Sequence, residues 1–153
     1  MDVNNIKALV FDVFGTVVDW RTSIASEAKQ CLSKKGYELD WVLFADSWRA
    51  KYQPAMEKVR TGGRGFVRLD ILHMENLIEV LKDFDIKSVT ETELNYLNRA
   101  WHRLLPWSDS VPGLLRLKKK FIIGTMSNGN VALMVNMAKN GGLPWDVILG
   151  AEP

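Results

Sequence analysis

The hydrophobic and polar positions follow three successive patterns along the chain. Residues 6–11 (IKALVF) form a short apolar run, which is typical of a fully buried parallel strand. From residue 19 to about residue 108, apolar positions recur at helical spacing, and this stretch is predicted to be all helical. Strand-like and helix-like segments alternate after that. The pattern therefore predicts a strand-containing core that a helical insertion interrupts after its first strand.

Turn-forming residues divide the helical stretch. Gly36 is a helix stop, Pro54 interrupts a long helical pattern, and residues 60–66 (RTGGRGF) predict a glycine-rich loop. The segment SVTETE at 88–93 is typical of a helix cap. The predicted helices cover residues 22–36, 40–59, 69–83 and 91–104.

The last part of the chain contains a strand–helix–strand pattern. SVPGLLRLKKK predicts a turn and a short helix, FIIGTMSNGN a strand and a loop, VALMVNMAKNGGL a helix, and WDVILG another strand. Such a unit implies a parallel sheet. The predicted fold class is α/β, with a core formed by residues 1–18 and 109–153 and a helical insertion at 19–108.

Composition narrows the class of protein. The 153 residues are 47% apolar and 25% charged, as in soluble globular proteins. The net charge of +2 comes from interspersed acidic and basic residues, so we expect neither a nucleic acid nor a membrane as partner. The single cysteine, Cys31, excludes an internal disulfide, and the first residues do not form a signal peptide. We therefore expect a cytoplasmic protein.

Polar side chains follow two of the predicted strands. Asp12 and Thr16 follow the first strand, and Ser127 and Asn128 follow the strand near residue 122. The carboxyl ends of parallel strands share one edge of a sheet, where ligands bind. The helix after Asn128 directs its free N–H groups to that edge, which favours an anion. Each signal has a structural alternative, because Asp12 also suits a turn and Ser127-Asn128 also suits a helix cap.

Four segments carry a resemblance to a known family. FDVFGTVVDW, SWRAKYQPAM, LNRAWHRLLPW and SNGNVALMVNMAKNGGLPWDVILGAEP together resemble the haloacid dehalogenase superfamily, and closely its type II (S)-2-haloacid dehalogenase branch. The resemblance covers essentially the whole chain. It implies a Rossmann-like parallel-sheet core, a helical cap inserted after the first strand, an active site between them, and Asp12 as the nucleophile.

Phe14 distinguishes this sequence from the phosphatases of the same superfamily. Those enzymes carry a second Asp two residues after the nucleophile, because an alkoxide leaving group needs a proton from a general acid. A halide is a very weak base and needs no proton. With Phe14 in that position the acid is absent and the pocket becomes apolar, which suits a short halogenated substrate.

The resemblance also assigns the catalytic roles. Asp12 attacks the halogen-bearing carbon and forms an ester with inversion, which water then cleaves. Thr16 orients Asp12, Ser127 holds the substrate carboxylate, and Arg49 with Asn128 receives the halide. No metal and no other cofactor is implied, because a carboxylate substrate and a halide need less charge neutralisation than phosphoryl transfer.

Other conspicuous residues have structural alternatives. Trp48 and Phe66 are candidates to line the substrate pocket, although the tryptophans of this chain are also suited to packing. Arg49, apart from the family pattern, would be an ordinary exposed helix residue. His73 and His102 lack metal-ligand partners at useful spacing and are predicted to be structural.

The family pattern continues past ILGAEP into a lysine, a proline-rich turn and a final acidic motif, whereas this sequence ends at Pro153. We therefore expect a C-terminally truncated dehalogenase with an incomplete core, whose first strand becomes a sheet edge. Such a chain is expected to associate or to be marginally stable, with a homodimer as one associated form, and to turn over its 2-haloacid substrate feebly or not at all. A superfamily phosphatase and an inactive remnant that only binds or oligomerises are the alternative functions.

Overall fold

The computed structural model describes residues 5–152 and contains two compact units. The first, here called the sheet unit, comprises the chain through Trp20 and from His102 onward. The second, here called the helical unit, is Arg21–Trp101. The boundaries predicted from the sequence follow residues 18 and 108. The later boundary lies earlier in the structure because residues 105–106 pair with residues 18–19 of the sheet unit.

The sheet unit is built on two parallel strands. Strand β1 is Ala8–Phe11, and β4, Ile122–Thr125, pairs with it so that Phe11 lies opposite Thr125. Helix α6 (Ser110–Lys118) precedes β4, and helix α7 (Val131–Gly141) follows it. The predicted α/β fold class and parallel pairing are therefore observed. Ile123, Leu133, Met134 and Met137 are fully buried in this unit.

The predicted strand WDVILG is not a continuous strand. Only Val147 pairs with β4, through a single parallel bridge to Gly124. Side chains hold the rest of the segment: the Asp146 carboxylate accepts the Ile123 N–H at 3.0 Å, and Thr125 Oγ1 donates to the Leu149 carbonyl at 2.8 Å. The hydrogen bond from Ile123 lowers the pKa of Asp146, with help from the ammonium group of Lys118.

The prediction that residues 19–108 are all helical is wrong at both ends. Strand β2 (Val18–Asp19) pairs antiparallel with β3 (Leu105–Pro106). Each strand has two residues, which is too short to produce a period in the sequence.

The prediction that the apolar run at residues 6–11 is a fully buried strand is wrong, whereas the prediction that the first strand forms a sheet edge is confirmed within residues 5–152. The backbone carbonyls of Lys7 and Phe11 accept hydrogen bonds from the N–H groups of Ile122 and Met126. The backbone N–H and C=O groups of Ala8 and Val10 therefore point to the opposite edge of the strand. No strand among residues 5–152 pairs with that edge. Val10, in this strand, is 50% exposed.

We expect this apolar edge to cause association of the chain, because unpaired strand edges accept strands from other molecules. Val10→Lys should reduce the association, since a charged side chain on an edge strand opposes pairing. Sedimentation or light scattering over a range of concentrations measures this. Leu115→Lys, an exposed position on α6, is the matched control. A parent chain that is monomeric at all concentrations would contradict the expectation.

The helical unit contains five helices among its described residues. Their caps follow local sequence signals: the Asp40 carboxylate accepts the Leu43 N–H at 2.9 Å, and Gly36 ends the first helical segment with φ of 84°. The helices are α1 (Trp20–Leu32, starting at the last residue of the sheet unit), α2 (Trp41–Ala50), α3 (Tyr52–Arg60), α4 (Leu69–Asp83) and α5 (Glu91–Asn98), and short 3₁₀ segments follow α1 (Ser33–Lys35) and α5 (Arg99–Arg103). The predicted interruption near Pro54 is observed: the break between α2 and α3 falls at Lys51, and Pro54 lies in the first turn of α3, where a proline is tolerated.

The core of the helical unit is rich in aromatic side chains. The Trp48 and Trp101 rings pack edge to face at 5.5 Å, and the His73 ring stacks on Trp101 at 4.3 Å. The Trp48 indole donates to the His73 carbonyl at 3.0 Å. None of the helices within residues 5–152 combines the length and the apolar character that a membrane span requires.

The predicted cap at the start of α5 is confirmed, and it makes stability depend on pH. Thr90 and Glu93 form a reciprocal capping box. The Thr90 N–H, with the ammonium group of Lys35, lowers the pKa of Glu93 from 4.5 to about 2. The folded pKa lies below the unfolded one, so this stabilisation is fully present above about pH 4.5 and is lost as the pH falls toward about 2.

Denaturant unfolding at a series of pH values tests this interpretation. Glu93→Gln should flatten the acid side of the stability profile, whereas Glu91→Gln, in the same helical turn, should leave its shape unchanged. An acid limb of equal steepness in Glu93→Gln and in the parent would show that other carboxylates cause the dependence.

Candidate active site

The backbone after β1 folds into a tight loop that begins with Asp12. The N–H groups of Val17 and Val18 both donate to the Val13 carbonyl, at 2.9 and 3.2 Å. Gly15 lies within this turn with φ of 88°, a conformation that a residue with a Cβ rarely adopts. The sequence Asp-Val-Phe-Gly-Thr is therefore locally suited to present a carboxylate directly at the strand end.

Thr16 holds the Asp12 carboxylate in place. Its hydroxyl, Oγ1, donates a hydrogen bond of 2.8 Å to Asp12 Oδ2. Both side chains are exposed. The Asp12 carboxylate is therefore both accessible and held in one orientation, so it can act as a nucleophile toward an electrophilic carbon.

Phe14 occupies the position two residues after Asp12. It is half-buried and forms a bridge with Val18. The loop therefore carries an aromatic side chain, and not a carboxylate, two residues after Asp12.

Ser127 and Asn128 leave the sheet at the same end as Asp12. Phe11 is opposite Thr125, and the Met126 N–H donates to the Phe11 carbonyl at 2.8 Å. The segments that follow β1 and β4 therefore start from paired strand ends. The Ser127 hydroxyl oxygen is buried and has no hydrogen-bond partner within residues 5–152. A buried hydroxyl without a partner is costly, so this group is suited to bind a ligand.

The expectation that the N-terminus of α7 has free N–H groups needs a correction. The Glu152 carboxylate accepts the Val131 N–H at 2.6 Å. The partial positive charge of a helix N-terminus attracts a carboxylate, and here the chain supplies one itself. Glu152 was not predicted from the sequence, because a residue that far along the chain gives no local capping signal.

The other predicted site residues lie in the helical unit. The Arg49 guanidinium, in the last turn of α2, lies 4.3 Å from the centre of the Tyr52 ring, which is a cation–π contact. Phe66, in the loop between α3 and α4, is 53% exposed. Trp48 is only 1% exposed and its indole N–H is bonded within the unit, so the structure favours its packing role over pocket lining.

The described part of the chain has no group of three or more His, Cys, Asp or Glu residues arranged to hold a metal ion. Both histidines lie in packed surroundings. His73 stacks on Trp101, and His102 Nδ1 is 3.0 Å from the Asn136 amide nitrogen.

The chain is similar to one family of known proteins. The model of the haloacid dehalogenase-like hydrolases matches residues 6–151. No curated protein matches the chain. The crystal structure of a defluorinating L-2-haloacid dehalogenase is similar over 96% of this chain, with 53% identity and a TM-score of 0.93. A second L-2-haloacid dehalogenase has 39% identity and a TM-score of 0.90, also over 96% of the chain.

A third similar structure is the L-2-haloacid dehalogenase of Xanthobacter autotrophicus, with 23% identity and a TM-score of 0.80 over 95% of the chain, which indicates a shared fold. The chain spans 61%, 63% and 56% of the length of these three proteins, respectively.

Proposed function

The chain belongs to the haloacid dehalogenase-like hydrolases, and we propose that it takes part in hydrolytic dehalogenation of short (S)-2-haloacids through an ester on Asp12, without a metal ion. One observation carries the proposal: an exposed carboxylate, fixed by Thr16, is followed two residues later by Phe14 and not by an acid. This site is suited to a leaving group that needs no proton. The similarity to two L-2-haloacid dehalogenases, at 53% and 39% identity, supports the same substrate class.

The first step is a displacement at carbon. An Asp12 carboxylate oxygen attacks C2 of the substrate from the side opposite the halogen. The C–O bond forms as the C–halogen bond breaks, and the halide leaves with the bonding pair, so the configuration is inverted. Thr16 keeps the Asp12 carboxylate oriented for this attack, which reduces the entropy that is lost on reaching the transition state.

The second step is hydrolysis of the ester. Water adds to the carbonyl carbon of Asp12, and the bond between that carbon and the ester oxygen breaks. The products are a 2-hydroxyacid, a proton and the regenerated Asp12 carboxylate. The oxygen from water therefore enters Asp12 first and reaches the product only in a later turnover.

The substrate carboxylate is assigned to Ser127. Its buried hydroxyl has no hydrogen-bond partner among residues 5–152, which supports this role, since a carboxylate oxygen would accept its hydrogen bond. Asn128 and Arg49 are assigned to the departing halide, where their N–H donors stabilise developing negative charge. Phe14 and Phe66 are assigned to the apolar lining. The roles of Arg49, Asn128 and Phe66 rest on the family resemblance.

Halide release tests the function. We expect chloride release from (S)-2-chloropropionate to exceed release from the R enantiomer, and p-nitrophenyl phosphate to be hydrolysed at background rate. Because one similar protein is defluorinating, fluoroacetate belongs in the substrate set. Phosphate-ester hydrolysis without halide release would instead favour a superfamily phosphatase, and no turnover of either substrate would favour a protein that only binds.

Chelation gives an independent prediction. EDTA should leave halide release unchanged, because neither the carboxylate substrate nor the halide needs a divalent cation for charge neutralisation. The measurement is the initial rate before and after dialysis against EDTA, with added magnesium as the control. A loss of activity that magnesium restores would contradict the metal-free mechanism.

A further inference from the structure

The loop that carries Asp12 is held from outside by one distant segment. Within the loop, backbone hydrogen bonds use the carbonyls of Val13 and Val18. The carbonyls of Gly15 and Val17 bond instead to residues 107–110. These two carbonyls lie immediately before and after Thr16.

Three donors make this connection. The Trp107 indole N–H donates to the Gly15 carbonyl at 3.1 Å, and the Trp107 backbone N–H donates to the Val17 carbonyl at 3.1 Å. The Ser110 hydroxyl, in the first residue of α6, donates to the same Val17 carbonyl at 2.8 Å. The peptide groups on both sides of Thr16 are therefore tied to one short segment, which β3 and α6 flank.

We infer that Trp107 and Ser110 are positioning residues for Asp12, acting through Thr16. Their hydrogen bonds restrict the backbone at Gly15 and Val17, which sets the direction of the Thr16 side chain. Thr16 in turn donates to Asp12 Oδ2 at 2.8 Å. This inference rests on the proposed function, and it adds two residues that make no contact with the carboxylate itself.

Packing alone does not account for the contacts. Trp107 is 42% exposed, so much of its ring is in solvent while its N–H is directed at the Gly15 carbonyl. A tryptophan present only for burial would not require that orientation. Ser110 lies at the N-terminus of α6, but its hydroxyl bonds the Val17 carbonyl and does not cap its own helix.

The test uses Trp107→Phe, Ser110→Ala and the double variant. Phenylalanine keeps an aromatic ring but has no N–H donor, and alanine removes only the hydroxyl. Ser110→Thr keeps the hydroxyl and should behave as the parent. The matched controls are Ser108→Ala, in the same segment, and Trp41→Phe, in the helical unit.

The first measurement needs no substrate. Three-bond couplings to the Thr16 methyl group report its χ1 rotamer, and amide hydrogen exchange reports the loop backbone. We expect a single rotamer in the parent and averaged couplings in the double variant, with loop amides that exchange about tenfold faster. The two controls and Ser110→Thr should match the parent. Unchanged couplings in the folded double variant would overturn the inference.

The second measurement is the kinetics of halide release. The double variant should lose about tenfold in kcat with KM changed less than about twofold, because the change affects the nucleophile and not substrate binding. Averaged couplings with an unchanged kcat would overturn the positioning role. If the parent releases no halide, the couplings alone decide whether residues 107 and 110 position Thr16, independently of the proposed function. The single variants, each losing one donor, supply the same measurements if the double variant does not fold.

Discussion

In any complete form of the enzyme, Asp12→Asn is expected to abolish halide release and to leave the fold intact. The neutral amide is a poor nucleophile and cannot form the ester, and loss of a residue that acts covalently typically costs about ten-thousandfold or more in kcat. The fold should survive because Asp12 is exposed and because the Asn carbonyl can still accept the Thr16 hydrogen bond. Ion chromatography of released halide and the thermal unfolding midpoint measure both effects.

An isotope experiment distinguishes nucleophilic attack from electrostatic assistance. After many turnovers in H₂¹⁸O, mass spectrometry of the peptide containing Asp12 should show ¹⁸O in its carboxylate. Asp109→Asn, an exposed carboxylate of the same unit, is the matched control and should retain activity and labelling. Halide release at the parental rate by Asp12→Asn, or an unlabelled Asp12, would exclude Asp12 as the nucleophile.

Arg49→Lys is expected to reduce the rate by about a hundredfold, the typical effect of removing a donor that is directed at developing charge. Lysine keeps the positive charge but loses the planar group with several N–H donors. It also loses the guanidinium stacking on Tyr52, at 4.3 Å. The loss should be larger for a fluorinated than for a brominated substrate, because fluoride leaves less readily and depends more on donated hydrogen bonds.

Two control variants separate the halide role of Arg49 from a structural one. Arg60→Lys changes an exposed arginine that pairs with Glu57, and it should have no effect on the rate. Tyr52→Leu removes the aromatic ring but keeps the guanidinium. Equal losses across the halogens, or a loss of the same size in Tyr52→Leu, would assign Arg49 to the support of α2 and α3 and not to the halide.

Short-range features of this protein were predictable from its sequence. The predicted helix over residues 69–83 is α4, and the capping box at Thr90 is present. The glycine stops at Gly36 and after α7 have positive φ values. These features depend on neighbours within one helical turn, so the residue types alone determine them. The order of strand ends likewise placed Asp12 and Ser127 at one edge of a parallel sheet.

The tertiary structure decided the features that depend on distant residues. The single bridge of Val147 and the Glu152 cap on α7 each depend on which segments meet, and periodicity carries no such information. The support of the Asp12 loop is the clearest case. Trp107 and Ser110 reach Gly15 and Val17 across 92 and 93 positions of sequence. The sequence by itself determined which carboxylate lies at the strand end, and only the folded chain determined what holds it there, because hydrogen bonds over such separations form only after the intervening chain has packed.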